Sequence, residues 1–423
     1  MESVTSRSEG AGEWRRGWPL VAAGMIGIGT GPGLFQNLSS LFIPGMIADF
    51  GWTRGDVATA AGIGLLGGFA APLLGRLTDR IGVRPMIAGC MLLLGLAYVG
   101  LAAMSGQLWE YRLLVLALAL SVPGTSALVY GKLVSSRFVV HRGIALGVAT
   151  LGLSITTLVM PPIVGVGIAR FGWRGGFVML AILTALIALP LVLVAIRGRT
   201  REPTRPDPDS AAAGTPVAGF TGAEARRDGR FWRLGIAIAL INIGTIGLVT
   251  QLVPFGLDHG LTAGEAALLL ASYGASQVAG RLLMGFLVDR YRAQTMAAGI
   301  AVVSAVAFVG LQIDQPGFPL MMALIFGAGL MNGAEHDLLP YLAARLFGLR
   351  AYGEVYGSLL AIALIGTATG IVGFGRLYDI YQGYGVALGI ASLGLLGAAG
   401  LFLSLKDKLL PVAAQAARSA MPV

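Results

Sequence analysis

Apolar residues along the chain gather into long runs, broken by short polar stretches that carry most of the arginines. Twelve such runs are readable, at approximately 18–44, 57–78, 85–104, 109–135, 143–169, 174–196, 232–257, 263–287, 295–313, 318–344, 354–375 and 384–405. A helix needs roughly 20 apolar residues to cross a hydrocarbon core. The pattern therefore predicts an all-α membrane protein of twelve transmembrane helices. Residues 1–17 are polar, and the run behind them is too long and lacks a clear small-residue cleavage site to be a signal peptide. It is expected to be the first span.

The runs divide into two sets of six, an N-terminal half over 1–197 and a C-terminal half over 231–423. Between them, residues 198–230 are rich in Arg, Pro, Asp and Ala and poor in large apolar side chains. This segment is expected to be a disordered or extended cytoplasmic linker. A repeat joins the halves. A shift of 210 positions superposes Pro44 on Pro254, Gly64 on Gly274, Gly75 on Gly285 and Asp79-Arg80 on Asp289-Arg290, and it holds on to Gly175 and Gly385. Two parallel six-span repeats imply a pseudo-two-fold axis along the membrane normal and a central site between the halves.

Charge sets the orientation. With a cytoplasmic N-terminus, 23 of the 30 Lys and Arg fall in cytoplasmic tails and loops and five fall outside, while Lys132 and Arg281 remain within spans. By the positive-inside rule both termini face the cytoplasm, and the location expected is a cell inner membrane. Composition agrees: 56% of residues are hydrophobic, 64 are Gly and only 12% are charged. That excludes a soluble enzyme, a disordered chain and a coiled coil. The basic residues close apolar runs without forming a stripe, so no nucleic-acid partner is expected. The single Cys90 permits no intrachain disulfide. No phosphate loop, HExxH or paired nucleophile occurs, and neither an enzyme activity nor a cofactor or metal is expected. "GIGTGPG" at Gly27–Gly33 lies inside an apolar run, where Gly and Pro allow bending.

Charges inside spans are expensive and point to function. Arg281 lies about two-thirds along the eighth span, with Gln277 one turn before it. Two readings stand: its guanidinium binds a substrate carboxylate as a bidentate fork, or an acid on the tenth span neutralises it permanently. Glu335, His336 and Asp337 enter that tenth span at similar depth. Successive helical residues rotate by about 100 degrees, so the three must serve different partners. Asn332, Glu335 and His336 fit one face, Asp337 and Tyr341 another. They are read either as proton-coupling groups or as a packing cluster. Polar residues elsewhere in the spans, Tyr130, Asn37 and Asn242 among them, are expected to face substrate or to join helices. Lys132 is expected to snorkel.

"GRLTDRIGVRP", Gly75–Pro85, resembles the loop between the second and third spans of the major facilitator superfamily, and "GFLVDRYRA", Gly285–Ala293, is its weaker copy. "DFGWTRGDVATAAGI", "SSRFVVHRGIALGVATLG" and "ARFGWRGGF" are similar to its monocarboxylate transporter-like and oxalate/formate antiporter-like branch. The resemblance implies a gating role for Gly75, Asp79, Arg80, Arg84, Asp289 and Arg290, and it supplies a matching carboxylate-binding Arg at 281. Departures exist: the first span has no Lys, the eleventh has neither Lys nor Arg, and Gln277 stands where many such carriers have an acid. The expected activity is secondary transport of a small organic anion, a monocarboxylate, with a proton, by rocker-switch alternating access in a monomer. The alternatives are a proton-coupled exporter of hydrophobic compounds and an anion exchanger.

Overall fold

A computed structural model describes residues 2–64, 77, 80–138, 141–198, 219–288, 290–314, 316–348 and 350–405. The chain order is α1 (Glu2–Gly29), α2 (Pro32–Leu38), α3 (Ile43–Phe50), α4 (Arg54–Gly64), α5 (Val83–Ala103), α6 (Leu108–Leu120), α7 (Val122–Thr125), α8 (Ala127–Ser135) and α9 (Arg142–Ala181). A π-helical turn, Ile182–Ala188, leads to α10 (Leu189–Ala195). Then follow α11 (Gly222–Arg227), α12 (Gly229–Asp258), α13 (Ala263–Val288), α14 (Ala293–Gly310), α15 (Phe318–Phe347), α16 (Tyr352–Tyr381) and α17 (Gly385–Leu403).

Helices prevail because a backbone crossing lipid must satisfy its own amides and carbonyls. Among the described residues, seven helical segments are long and apolar enough to cross a membrane, or nine if each of two bent pairs forms one span. One of the seven runs continuously over Gly143–Ala195, 53 residues. At 1.5 Å per residue it would measure about 80 Å, far beyond the ~30 Å core, so it holds two spans. The hinge is Gly172, whose φ of 70° and ψ of 175° lie in a region essentially reserved for glycine. The helix α13, 26 residues long, is not among these seven: it has the length to cross but carries Arg281 and a polar stretch. Of the predicted second span, Arg54–Gly64 is helical, and residues 65–76 lie outside the described residues. The "GIGTGPG" stretch does bend: α1 ends at Gly29, Pro32 opens α2, and the two axes differ by 43°. Large apolar side chains stand exposed along the helices, Leu96 at 68%, Val306 at 64% and Leu393 at 72%, as lipid-facing residues must.

The chain forms two compact units, Met1–Arg205 with Thr250–Ala275, and Pro206–Val249 with Ser276–Val423. In the first unit, two of the sequence motifs meet. Trp173 Nε1 donates to Asp49 Oδ2 at 2.8 Å, and the Trp173 and Phe50 rings pack edge to face. Arg174 donates to the Ala102 and Met104 carbonyls at 2.9 and 3.0 Å, capping the C-terminus of α5. The second unit corrects the expectation that 198–230 is disordered or extended throughout. Its last third is folded: Phe220 N–H donates to the Phe347 carbonyl, and α11 opens with a capping box between Thr221 and Glu224. Residues 199–218 lie outside the described residues. Sequence composition averaged over the linker hid the Thr-x-x-Glu signature that starts this helix.

Candidate functional site

The polar residues of the second unit gather where α12, α13 and α15 meet. Two glycines set the approach. A Cβ on Gly333 of α15 would overlap the Gln277 backbone, with its Cα 2.7 Å away, and one on Gly280 of α13 would overlap the Leu330 carbonyl. With no side chain at either position, the two backbones touch. Gln277 Nε2 then reaches Asn332 Oδ1 at 2.7 Å, and Asn332 Nδ2 donates to Thr245 Oγ1 on α12 at 3.4 Å. One turn before Thr245, Asn242 Nδ2 donates to Glu335 Oε1 at 2.7 Å and also to the Ile238 carbonyl at 3.1 Å. Asn242, Thr245, Gln277, Asn332 and Glu335 thus form a buried polar network over three helices.

Three atoms of this cluster are buried without a hydrogen-bond partner: Gln277 Oε1, Arg281 Nε and Glu335 Oε2. Arg281 itself is 7% exposed and, among the described residues, no salt bridge closes on it. Asp337, half-buried on α15, is its electrostatic neighbour, as is His336. Buried donors and acceptors normally pair, and here a guanidinium N–H, an amide oxygen and a carboxyl oxygen have no partner within the protein. The chemistry on offer is a guanidinium donor, an amide acceptor and a carboxyl within one helix bundle.

The remaining predicted residues separate. His336 is exposed and does not share the buried face with Asn332 and Glu335; its Nδ1 is held by the Asn332 carbonyl at 2.8 Å. Asn37 and Tyr130 belong to the first unit. Asn37 Nδ2 donates to Thr157 Oγ1 at 2.8 Å, and Tyr130 is fully buried in that unit's hydrophobic core beside Met91. Lys132 is exposed. Of the residues expected to gate, Arg80, Arg84 and Arg290 are exposed, with Arg290 lying over the Phe286 ring; Gly75, Asp79 and Asp289 lie outside the described residues. Sequence reasoning missed Tyr356 of α16, an electrostatic neighbour of both Glu335 and Asp337. A tyrosine in an apolar run was its only signal.

Comparison with known proteins identifies the family. The model of the Major Facilitator Superfamily matches residues 25–267 and 252–420. Human Monocarboxylate transporter 11 is 29% identical over 93% of this chain and 78% of its own length. Monocarboxylate transporter 13 of Rattus norvegicus is 25% identical over 93% of this chain and 89% of its own. An MFS-type transporter of Gibberella moniliformis is 27% identical over 78% of this chain and 77% of its own. Among solved structures, a bacterial homolog to the human lysosomal transporter Spinster, inward-facing and unoccupied, superposes with a TM-score of 0.65 at 18% identity, covering 92% of this chain and 94% of that one. That likeness concerns the fold alone. With the family model spanning nearly the whole chain, this multi-pass protein belongs to the Major Facilitator Superfamily and is a secondary transporter, not an enzyme.

Proposed function

We propose that this transporter carries a small organic anion, a monocarboxylate, together with a proton by alternating access. The observation that carries the reading is Arg281: a buried guanidinium with an orphaned Nε and no closed ion pair, one helical turn from an orphaned amide oxygen. A permanently neutralised arginine would be held by a carboxylate, and Asp337 stays outside ion-pair distance. A guanidinium free of such a partner suits the planar, bidentate grip on a carboxylate. Gln277 and Asn242 complete the polar lining within the second unit, while Tyr130 is held in the first unit's hydrophobic core and Asn37 joins two helices of that unit through Thr157. The group that takes the proton is proposed to be one of Glu335, His336 and Asp337. The resemblance to proteins named monocarboxylate transporters supports the substrate class.

The loop from Gly75 to Arg84 and its copy at Asp289-Arg290 are proposed as cytoplasmic gates in a monomeric carrier of a cell inner membrane, both termini cytoplasmic. An exporter of hydrophobic compounds would need no buried, unpaired guanidinium, so Arg281 speaks against it. Purified protein in proteoliposomes, offered a panel of labelled mono- and dicarboxylates with and without a proton gradient, tests the proposal. Gradient-stimulated uptake of a monocarboxylate is expected. Uptake of uncharged apolar compounds with no response to any acid would refute it.

A further inference from the structure

We propose that Glu335, rather than Asp337 or His336, is the carboxyl that binds the coupling proton, with Asn242 as its positioning residue. The inference rests on the reading of function above and deepens it. Glu335 is 6% exposed; Oε1 accepts from Asn242 Nδ2 at 2.7 Å and Oε2 is buried without a partner. The second hydrogen of Asn242 goes to the Ile238 carbonyl, so its amide has nothing further to give. Among the described residues no cation pairs with Glu335. A buried carboxylate with one amide donor and no counter-charge is poorly solvated, whereas a neutral carboxyl fits the same place.

The other two groups are engaged differently. Asp337 is half-buried and lies in the field of the Arg281 guanidinium, outside ion-pair distance. His336 is exposed and its Nδ1 is committed to the Asn332 carbonyl. Of the ionisable groups around Glu335, Tyr356 on α16 is its electrostatic neighbour, while His336 and Asp337 follow it on its own helix and Arg281 on α13 acts on those two. The α14 helix, which packs on α15, carries none, and those of α12 sit near its ends, at Arg230, Arg233 and Asp258.

Proton binding is a plain transfer. Hydronium gives its proton to Oε2, an O–H bond forms and water leaves; on release the bond breaks, water takes the proton and the carboxylate keeps its bond from Asn242. Coupling to the anion runs through the network. Gln277 stands one turn from Arg281 and donates to Asn332, which donates to Thr245, one turn from Asn242. A carboxylate seated on Arg281 that reorients Gln277 alters the hydrogen bonds and the field around Glu335.

The test uses the full-length protein in lipid, with Glu335→Gln and Asp337→Asn as variants and melting curves to confirm folding. Infrared spectra stepped through pH should show a protonated-carboxyl band that is lost in Glu335→Gln and kept in Asp337→Asn. For a labelled monocarboxylate, the ratio of gradient-driven accumulation to exchange should fall about tenfold or more in Glu335→Gln, within the usual range of coupling between two sites. If Glu335→Gln fails to fold, Asn242→Leu serves: the band should shift in frequency. A band that survives Glu335→Gln, or that does not move in Asn242→Leu, overturns the proposal. A band lost in Glu335→Gln while the wild type moves no organic acid upholds the proton site and refutes the substrate reading instead.

Discussion

Arg54 grips Asp258 with both terminal nitrogens of its guanidinium, Nη1 to Oδ2 at 2.7 Å and Nη2 to Oδ1 at 2.9 Å, although 204 residues separate them. Arg54 opens α4 and Asp258 closes α12, so each charge sits at the helix end that disfavours it, and pairing relieves both. Both side chains are partly shielded, at 16% and 31% exposure. The pair ties the end of the first repeat's opening loop to the matching loop of the second repeat. Arg54→Gln or Asp258→Asn should weaken this tie by about 1 kcal/mol, and the charge-swapped double variant should recover it. A cysteine at Gly260, in a Cys90→Ala background, should react faster with an impermeant thiol reagent in either single variant and return to the original rate in the swap.

Orientation predicts a second labelling pattern. Gly353 and Gly260 are both exposed, the first in a region rich in Arg and the second in a poor one. Cysteine at Gly353 should be blocked only from the cytoplasm and cysteine at Gly260 only from outside. The reverse pattern in intact cells would overturn the positive-inside orientation.

For Arg281, replacement by Lys keeps the charge and removes the fork. Anion affinity should fall by ~1.5–3 kcal/mol, the range for a charge-assisted hydrogen bond, while melting stays close to wild type. Arg281→Gln should abolish binding and leave the fold intact, because no closed ion pair is broken. A large fall in melting temperature that Asp337→Asn restores would instead show a structural pair.

The close approach of α13 and α15 gives a packing prediction. Gly333→Ala drives a methyl into the Gln277 backbone and should cost ~1–3 kcal/mol, read as a lower melting temperature. Gly353→Ala, at a position open to space, should leave melting unchanged.

The linker helix has its own pH response. The Thr221 backbone amide, then its hydroxyl, hold the Glu224 carboxyl below its ordinary value of 4.5, with Arg350 assisting. A depressed carboxyl contributes above its unfolded value and loses its contribution as pH falls through the folded one. Amide exchange over Ala225–Asp228 should therefore speed up as pH falls below that ordinary value, beyond the intrinsic pH dependence, and Glu224→Gln should remove that step.

The helical membrane-spanning character and the family were legible in the sequence because lipid imposes a one-dimensional rule: about twenty apolar residues in a row, charges at the ends and an arginine only where something needs it. Arg281, Gln277 and Glu335 could be singled out on those grounds, as expensive groups in an apolar run. What could not be read was which partner each would take. A polar side chain on a spanning helix has several neighbours within reach, and the choice depends on how closely two backbones approach. Only the packed structure showed that Gly280 and Gly333 bring α13 onto α15, joining Gln277 to Asn332 and leaving Glu335 to Asn242. The same holds for Tyr130, whose place in the first unit's core follows from the helices around it, and for Arg54 and Asp258. Hydrophobicity is local along the chain, whereas a hydrogen bond between residues 93 apart, as for Asn242 and Glu335, is decided by tertiary geometry alone.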